Sequence, residues 1–235
     1  MLGVIVNTLA VVIGSSIGLL AKKAIPNDWS GFIVSGMGFV TMYIGISGAF
    51  SGQNTLIAVI SMAIGSMIGI AIDIDARVNR SVSNLEKKYI KKSDEGGPSF
   101  TEGFVTTSML FCVGAMTIVG SLQAGLIGDN TMLITKGTMD GISSVFFAAS
   151  LGYGVLASAA FIFVFQGGIV LLAQFIEPFL SDAAIAEMTC VGSLILIGMA
   201  LNLVGATKLK IMNYLPAIFM PIVLVPIFEI ASNIF

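Results

Sequence analysis

Six long stretches of the chain contain no Asp, Glu, Lys or Arg. A membrane-spanning helix needs about 20 mostly apolar residues, because its backbone must satisfy its own hydrogen bonds across about 30 Å of hydrocarbon. Nearly every stretch is long enough for one such helix, and the longer ones are long enough for two. The pattern therefore predicts an all-α fold, a polytopic bundle of transmembrane helices. The stretches are residues 1–21, 29–72, 103–128, 141–176, 188–207 and 211–228.

Turn residues and charges divide these stretches into eight predicted spans. Pro-Asn-Asp at 26–28 separates the first two, Ser-Gly-Gln-Asn at 51–54 forms a turn before the third, and Glu-Pro at 177–178 ends the sixth. The fifth span is short and rich in Ser and Gly. The predicted spans are residues 2–21, 31–50, 54–73, 103–120, 138–152, 154–176, 187–205 and 214–234.

The composition supports the same class of protein. The mean hydropathy is +1.01 and 10% of the residues are charged, against about 25% in a soluble domain. Histidine is absent, which removes the commonest proton shuttle and the commonest ligand of transition metals. Cys112 and Cys190 lie in apolar stretches and are predicted to be buried small residues. The first 21 residues lack a positive n-region, so they are predicted to form a span rather than a cleaved signal peptide.

Positive charges are distributed unevenly between the two faces that eight spans create. Cytoplasmic loops of membrane proteins carry an excess of Lys and Arg, and here one face holds ten of these residues while the other holds only Lys136. We therefore expect a multi-pass protein of the cell membrane with both termini outside and residues 74–100 in the cytoplasm. The ten cations are Lys22, Lys23, Arg77, Arg80, Lys87, Lys88, Lys91, Lys92, Lys208 and Lys210.

The first and last thirds of the chain resemble each other. IGLLA at 17–21 aligns with IVLLA at 169–173 at an offset of 152 positions, and Pro26 and Pro178 keep that offset. Apolar matches arise by chance in membrane segments, so the shared proline is the stronger evidence. Two spans separate the similar triplets, which would give spans 1–3 and 6–8 opposite orientations. Inverted repeats of this kind are typical of secondary transporters, whose sites lie near the bilayer midplane.

These patterns predict a single transmembrane domain over residues 1–235 with four parts. They are a first repeat (1–75), a cytosolic amphipathic helix with its linker (76–98), a central pair of spans with a polar segment (99–152), and a second repeat (153–235). Within 76–98, apolar residues fall at helical spacing among cations, as in a helix that lies on a membrane surface. This helix is either a topology anchor or a docking site for a partner.

The most polar short segment, GDNTMLITKGTMDG at 128–141, lies between two long uncharged stretches. Glycines recur through 111–144, which disfavours a continuous helix. Either span 4 is continuous and an exposed loop follows it, or its helix breaks near Gly120 and unwound backbone lines a cavity. Lys136 and Asp140 are four positions apart, so a helix through them places both on one face. Ionisable groups inside a membrane are rare and usually functional.

Asp140, followed by two serines at the start of span 5, is the centre of the predicted site. Polar side chains in other spans need hydrogen bonds in hydrocarbon and serve either as contacts between helices or as ligands. Carboxylate, hydroxyl and carbonyl oxygens suit hard cations such as Na⁺, whereas Lys136 leaves an anion open as an alternative. The candidate ion-binding residues are Asp140, Ser143, Ser144, Asp129, Asn130, Lys136, Gln123, Asn7, Gln166 and Asn202.

Several motifs resemble an uncharacterised family of prokaryotic membrane proteins, the YdfK/YqgA type. They are NTLAVVIGSSIGLL, FCVGAMTIVGSLQAGLIGDN, KGTMDGISSVFFAASLGYGV and QGGIVLLA, and the resemblance covers nearly the whole chain. It implies a polytopic inner-membrane protein that is a candidate sodium channel or pump, without established ligand residues. A proline commonly stands in the family where this chain has Ala115. If that proline helps to break span 4, its absence here argues against a broken helix.

The leading hypothesis is transport of a small ion, with Na⁺ favoured, through the central polar site. The alternative is a non-transporting scaffold or sensor whose helix in 76–98 docks a cytosolic partner. The chain has no metal-ligand spacing, catalytic dyad or Walker-type loop, so we expect neither an enzyme nor a cofactor. The expected partners are the lipid bilayer and a small ion, with no nucleic acid. Abundant glycine would permit a homodimer.

Overall fold

The computed structural model describes residues 1–22, 27–78, 80, 99–112 and 115–232. Within these ranges the regular elements are helical. Two are 3-10 segments, Glu177–Phe179 and Ile211–Phe219, and residues 74–78 also form helical turns. The α-helices are α1 (Leu2–Lys22), α2 (Asn27–Ala49), α3 (Thr55–Ile72), α4 (Phe100–Cys112), α5 (Ala115–Leu126), α6 (Thr131–Leu151), α7 (Tyr153–Ile176), α8 (Asp182–Leu203) and α9 (Pro221–Ser232).

The chain is a multi-pass membrane protein. Among the described residues, five helices are long and apolar enough to cross a bilayer: α1, α2 over Gly31–Ala49, α3, α7 over Tyr153–Phe175, and α8. Two bent pairs raise the count to seven if each forms one span. Large apolar side chains point outward from these helices, among them Phe32, which is 85% exposed. Such an exterior suits lipid, where exposed apolar surface carries no penalty.

Span 4 is a bent pair of helices, but the break does not lie near Gly120 as one prediction had it. α4 ends at Cys112, α5 begins at Ala115, and their axes differ by 61°. Gly120 lies inside α5, where a Cβ would come within 3.3 Å of Leu133, so its missing side chain serves helix packing. Near the break, the Thr117 hydroxyl donates to the Phe111 carbonyl oxygen at 3.1 Å. A backbone acceptor released at a helix end is thereby satisfied inside the protein.

Two predicted spans begin earlier in the structure than the sequence indicated. Span 5, predicted at 138–152, is a helix from Thr131 to Leu151, because the polar turn before it packs on α1 instead of looping into solvent. Span 7, predicted to start at 187, begins at Asp182, with the Ser181 hydroxyl accepting from the Ala184 N–H at 3.1 Å. The charge of Glu187 was interpreted as a boundary, yet it lies inside α8. The predicted surface helix in 76–98 falls mostly outside the described residues.

Helix α8 is the central element, because 72% of the residues in its apolar 18-residue stretch are buried. It packs against α2 on one side and against the 3-10 segment Ile211–Phe219 on another, and α3 packs on the same 3-10 segment. Around this core, α1 packs along α6, and α7 contacts α1, α4 and α5. Helix α6 is connected directly to α7 by a turn at Gly152. The φ of this residue is +77°, a value that favours glycine. The candidate site lies where α1, α6 and α7 meet.

Candidate functional site

Helices α1 and α6 run side by side in the same direction, with their backbones unusually close. Near their first turns, a Cβ built on Gly3 would lie 2.7 Å from the Leu133 Cβ. Near their last turns, a Cβ on Gly18 would lie 2.9 Å from the Ala148 Cβ. Small residues at such positions let helix backbones approach within a membrane. The two helices are therefore held in one register over their whole length, which fixes the side chains that face each other.

Four polar side chains meet where α1, α6 and α7 converge. Lys136 and Asp140, one turn apart on α6, form an ion pair in which the ammonium donates to Asp140 Oδ2. From α1, Asn7 Nδ2 donates to Asp140 Oδ2 at 3.3 Å and to Gln166 Oε1 of α7 at 3.1 Å. Asn7 and Gln166 are fully buried, and Lys136 and Asp140 are each only 7% exposed. We call these four residues the polar cluster.

The orientation of the two amides follows from their partners. Asn7 must direct its NH₂ group toward the carboxylate and toward the Gln166 oxygen, because turning it around would bring oxygen against oxygen. This leaves Asn7 Oδ1 and Gln166 Nε2 buried without a partner in the described part of the chain. A buried amide oxygen without a donor costs about 1–3 kcal/mol. The polar cluster thus contains an unused acceptor next to a carboxylate.

The polar cluster lies at mid-helix depth. Asp140 is the tenth of the 21 residues of α6, so at 1.5 Å per residue it lies about 14 Å from one helix end and about 16 Å from the other. That is about half of a 30 Å hydrocarbon layer. Charges at this depth are costly unless they are paired, and the i, i+4 spacing on α6 supplies the pair within one helix.

Two further groups border the ion pair. The Phe111 ring lies with its centroid 5.8 Å from Lys136 Nζ, within the range of a cation–π contact. One turn beyond Asp140, the Ser144 hydroxyl donates to the carbonyl oxygens of Gly141 at 2.7 Å and Val11 at 3.3 Å. Both bonds use the one hydrogen of that hydroxyl, which thereby links α6 to α1 at this level. Sequence reasoning missed Phe111, since no pattern in span 4 indicates a contact with a lysine 25 positions away.

The structure places two other predicted residues, Asp129 and Asn130, at one end of the bundle. Asn130 Oδ1 accepts from the Gly3 N–H at 2.8 Å, which joins the start of α1 to the start of α6. Asp129 is exposed beside it, and hydrogen bonds from Thr131, chiefly from its backbone N–H, hold the pKa of Asp129 below its ordinary value. Gln123 and Ser143 are half-buried. None of these four shares a hydrogen bond with the polar cluster among the described residues.

Asn202 lies at the opposite end and supports a loop. Its Nδ2 donates to the Leu209 carbonyl at 2.8 Å, and its Oδ1 accepts from Leu209 N at 2.8 Å and from the Thr207 hydroxyl at 2.7 Å. These bonds close the connection between α8 and the 3-10 segment Ile211–Phe219. The structure therefore separates Asn202 from Asp140, although the sequence alone allowed them to converge.

Glu187 is a buried carboxylate that the sequence prediction did not single out. It is 2% exposed, and its Oε1 accepts from the backbone N–H groups of Gln53 and Asn54, both at 2.7 Å. These bonds hold the turn between α2 and α3 against α8. Its position at the edge of an uncharged stretch was the only available signal, and that signal was used for a helix boundary.

Comparison with known proteins places the chain among uncharacterised membrane proteins. Residues 2–226 match the family model described as Protein of unknown function (DUF554). The chain is 33% identical over 229 residues to the Uncharacterized membrane protein YdfK of Bacillus subtilis (strain 168), with 96% of each chain covered. It is 26% identical over 220 residues to the Uncharacterized protein YqgA of Escherichia coli (strain K12), covering 93% of this chain and 94% of that one. No solved structure matches the chain significantly.

Proposed function

The chain belongs to the DUF554 family of proteins of unknown function, and from that premise we propose that it transports a small cation, preferably Na⁺, through the polar cluster. The observation that carries the proposal is the buried contact between Asn7, Asp140, Lys136 and Gln166 at mid-helix depth. Ionisable groups placed there mark ion pathways far more often than structural contacts. The proposed role is that of a transporter and involves no enzymatic step.

The proposal includes α6 as an eighth span. Packing of α6 along α1 supports this, because α1 has the length and hydropathy of a span and its contacts with α6 extend from Gly3 to Gly18. A helix aligned with a membrane-crossing helix over about four turns must cross nearly the same thickness. Helix α6 is less apolar than the five helices identified above as spans, largely because it carries part of the polar cluster and its polar neighbours.

The proposal also includes an inverted repeat of spans 1–3 and 6–8. In an inverted repeat, a residue that lies near the twofold axis packs against the equivalent residue of the other repeat. A Cβ on Gly45 would lie 2.9 Å from Ile197, and a Cβ on Gly65 would meet Ala217. Both pairs are 152 positions apart, the same offset that aligns 17–21 with 169–173. Spans 1 and 6, 2 and 7, and 3 and 8 accordingly pack against each other.

The donor set of the polar cluster favours a monovalent cation. Asp140 supplies one negative charge, Asn7 Oδ1 and Gln166 Oε1 supply neutral oxygens within the polar cluster, and the Ser144 hydroxyl lies one turn further along α6. Oxygen ligands of this kind suit hard cations. A single carboxylate balances a charge of +1 in a low-dielectric site, whereas a divalent ion would leave a net charge that is costly at this depth.

Lys136 occupies the position of that cation. Its ammonium is held by Asp140 Oδ2, so an arriving Na⁺ competes with it for the same carboxylate oxygen. The ammonium therefore marks a place beside the Asp140 carboxylate where a single positive charge is balanced.

The proposed orientation places the loop with Lys208 in the cytoplasm and both ends of the chain outside. Among the described residues, Lys22, Arg77, Arg80, Lys208 and Lys210 belong to the ends of α1, α3 and α8 that share this face. Cytoplasmic loops carry such an excess.

Purified full-length protein in liposomes tests the proposal by ²²Na⁺ uptake driven by an inward Na⁺ gradient. We expect uptake by the wild type, a fall of at least about 100-fold for Asp140→Asn, and none of this loss for Asp182→Asn, which makes the same change at an exposed carboxylate. Absence of Na⁺, K⁺ or Li⁺ uptake in folded wild-type protein would contradict transport. If uptake fails and deletion of residues 76–93 abolishes the cellular phenotype, the scaffold alternative replaces it.

A further inference from the structure

Two cavities lie between the polar cluster and the face of the bundle that carries Lys208. The outer one, the vestibule, has a volume of about 420 Å³ and is bordered by Asp75, Glu102, Asn202 and Lys208. The inner one, the chamber, has a volume of about 270 Å³ and is bordered by Phe104, Ser108, Cys112 and Met188. Both cavities are bordered by Val105 and Met212, so these two side chains form the constriction between them.

The inner end of the chamber lies at the end of α4, which also contacts the ion pair. Cys112 borders the chamber, and its thiol lies within electrostatic range of both Lys136 and Asp140. The preceding residue, Phe111, carries the ring that faces the Lys136 ammonium. Ser108, one turn earlier, is 5% exposed and its hydroxyl has no partner among the described residues. A hydroxyl that is buried in this way beside a cavity is available to a passing ion or water.

The opposite side of the polar cluster is closed by an apolar layer. Val4, Ala124, Leu133 and Val170 form a buried cluster of their own, which we call the plug. Val4 and Leu133 each lie about one turn before Asn7 and Lys136, and Val170 lies one turn after Gln166 on the antiparallel α7. All four therefore lie on the side of the polar cluster that faces Asn130. Val4 and Leu133 are fully buried.

We propose that the polar cluster is open toward the Lys208 face through the vestibule and the chamber, and that the plug is its closed gate toward the Asn130 face. The two sides differ in the way that alternating access requires, because cavities lie on one side and close apolar packing lies on the other. This inference rests on the proposed function, since it assigns the side from which the cation reaches its site. A matching movement would separate α1 from α5 and α7 at the plug.

The two native cysteines allow a direct test in the full-length protein. Cys190→Ser leaves Cys112 as the one thiol, and a membrane-impermeant methanethiosulfonate reagent is added to either side of oriented proteoliposomes. Engineered thiols at Ser51 and Lys210, which are exposed at opposite faces, calibrate the orientation in a background without native cysteines. We expect Cys112 to react at least about tenfold faster from the Lys208 face.

Matched variants test the constriction and the plug. Val105→Trp should lower the rate from the Lys208 face about tenfold, whereas Val223→Trp, on the exposed surface of α9, should not change it. Leu133→Ala should raise the rate from the Asn130 face about tenfold, whereas the neighbouring and exposed Ile134→Ala should not. Gel filtration and thermal unfolding confirm that each variant is folded before labelling.

Equal labelling from both faces, or faster labelling from the Asn130 face, would overturn the inference. So would a Val105→Trp variant that is labelled at the wild-type rate from the Lys208 face. Labelling needs no ion flux, so the two proposals fail separately. One-sided access without cation uptake would refute transport alone, and uptake with access from the wrong face would refute the assigned route alone.

Discussion

At the scale of single residues, the ion pair on α6 dominates the energetics of the site. Each ion costs several kcal/mol to bury, and a pair regains this only with good geometry and further hydrogen bonds. Asn7 supplies such a bond to Asp140 Oδ2 at 3.3 Å. The pair is consequently weak evidence for stability, and its cost at this depth makes it a candidate for a functional role.

Breaking the pair should be more harmful than removing it. Asp140→Asn leaves the buried ammonium of Lys136 unpaired, and Lys136→Met leaves the carboxylate unpaired, so each should cost about 3–5 kcal/mol of stability. The double variant should recover most of that loss. Thermal unfolding in detergent measures this, with Asp182→Asn as the neutral control. Losses that simply add in the double variant would show that the two side chains do not interact.

Lys136→Met should also strengthen Na⁺ binding. If the ammonium competes with Na⁺ for Asp140, its removal should lower the apparent Kd for Na⁺ at least about tenfold, equivalent to about 1.4 kcal/mol. A ligand that binds the folded state raises its unfolding temperature, so unfolding in NaCl against choline chloride gives the readout. The double variant with Asp140→Asn should show no Na⁺ dependence. A single variant that is no more sensitive to Na⁺ than the wild type would exclude the competition.

At the scale of helices, the glycines between α1 and α6 set the geometry of the polar cluster. A Cβ on Gly14 would overlap the Gly141 carbonyl oxygen and the Ser144 hydroxyl. Only a hydrogen atom fits there, and the close approach that results places Asn7 opposite Asp140. The register of the two helices is therefore a condition for the site and not a separate feature.

Gly14→Ala should destabilise the protein and reduce transport together. Overpacking costs about 1–3 kcal/mol, and separating α1 from α6 lengthens the Asn7–Asp140 hydrogen bond. Gly168→Ala is the matched control on α7, because its Cβ would meet nothing within 4 Å. The control should gain up to about 1 kcal/mol from helix propensity. Thermal unfolding and ²²Na⁺ uptake of both variants decide this, and equal behaviour would contradict the proposed packing.

At the scale of the whole molecule, the span count determines which loops share a face. With α6 as a span, residues 51 and 127 lie on one face and residue 210 on the other. Without α6, all three share a face. Single thiols at Ser51, Ile127 and Lys210, all of them exposed positions, should therefore differ in their labelling by an impermeant reagent. The first two should react in intact cells, and the third should react only after the membrane is opened. Labelling of all three from one side would remove the eighth span and the inverted repeat with it.

The chain itself determined the class of protein and much of its segmentation. Long uncharged stretches can only be accommodated as helices in hydrocarbon, and the i, i+4 spacing of Lys136 and Asp140 placed both on one helix face. Those inferences need only local spacing, because helix geometry is the same in any fold. The break in span 4 was misplaced for the same reason. Glycine favours both breaks and close packing, and local sequence does not distinguish between them at Gly120.

Tertiary structure decided which polar residues meet. The sequence predicted ten polar candidates with Asp140 at their centre, but only four of them form the polar cluster. Asn7 lies 133 positions from Asp140 and 159 from Gln166. Asn202 and Asn130 instead satisfy loop and helix-end backbone groups. Hydrogen bonds between distant segments depend on how helices pack, and here that packing depends on where α1 and α6 lack side chains. The site therefore exists only once the parallel contact between these two helices has formed.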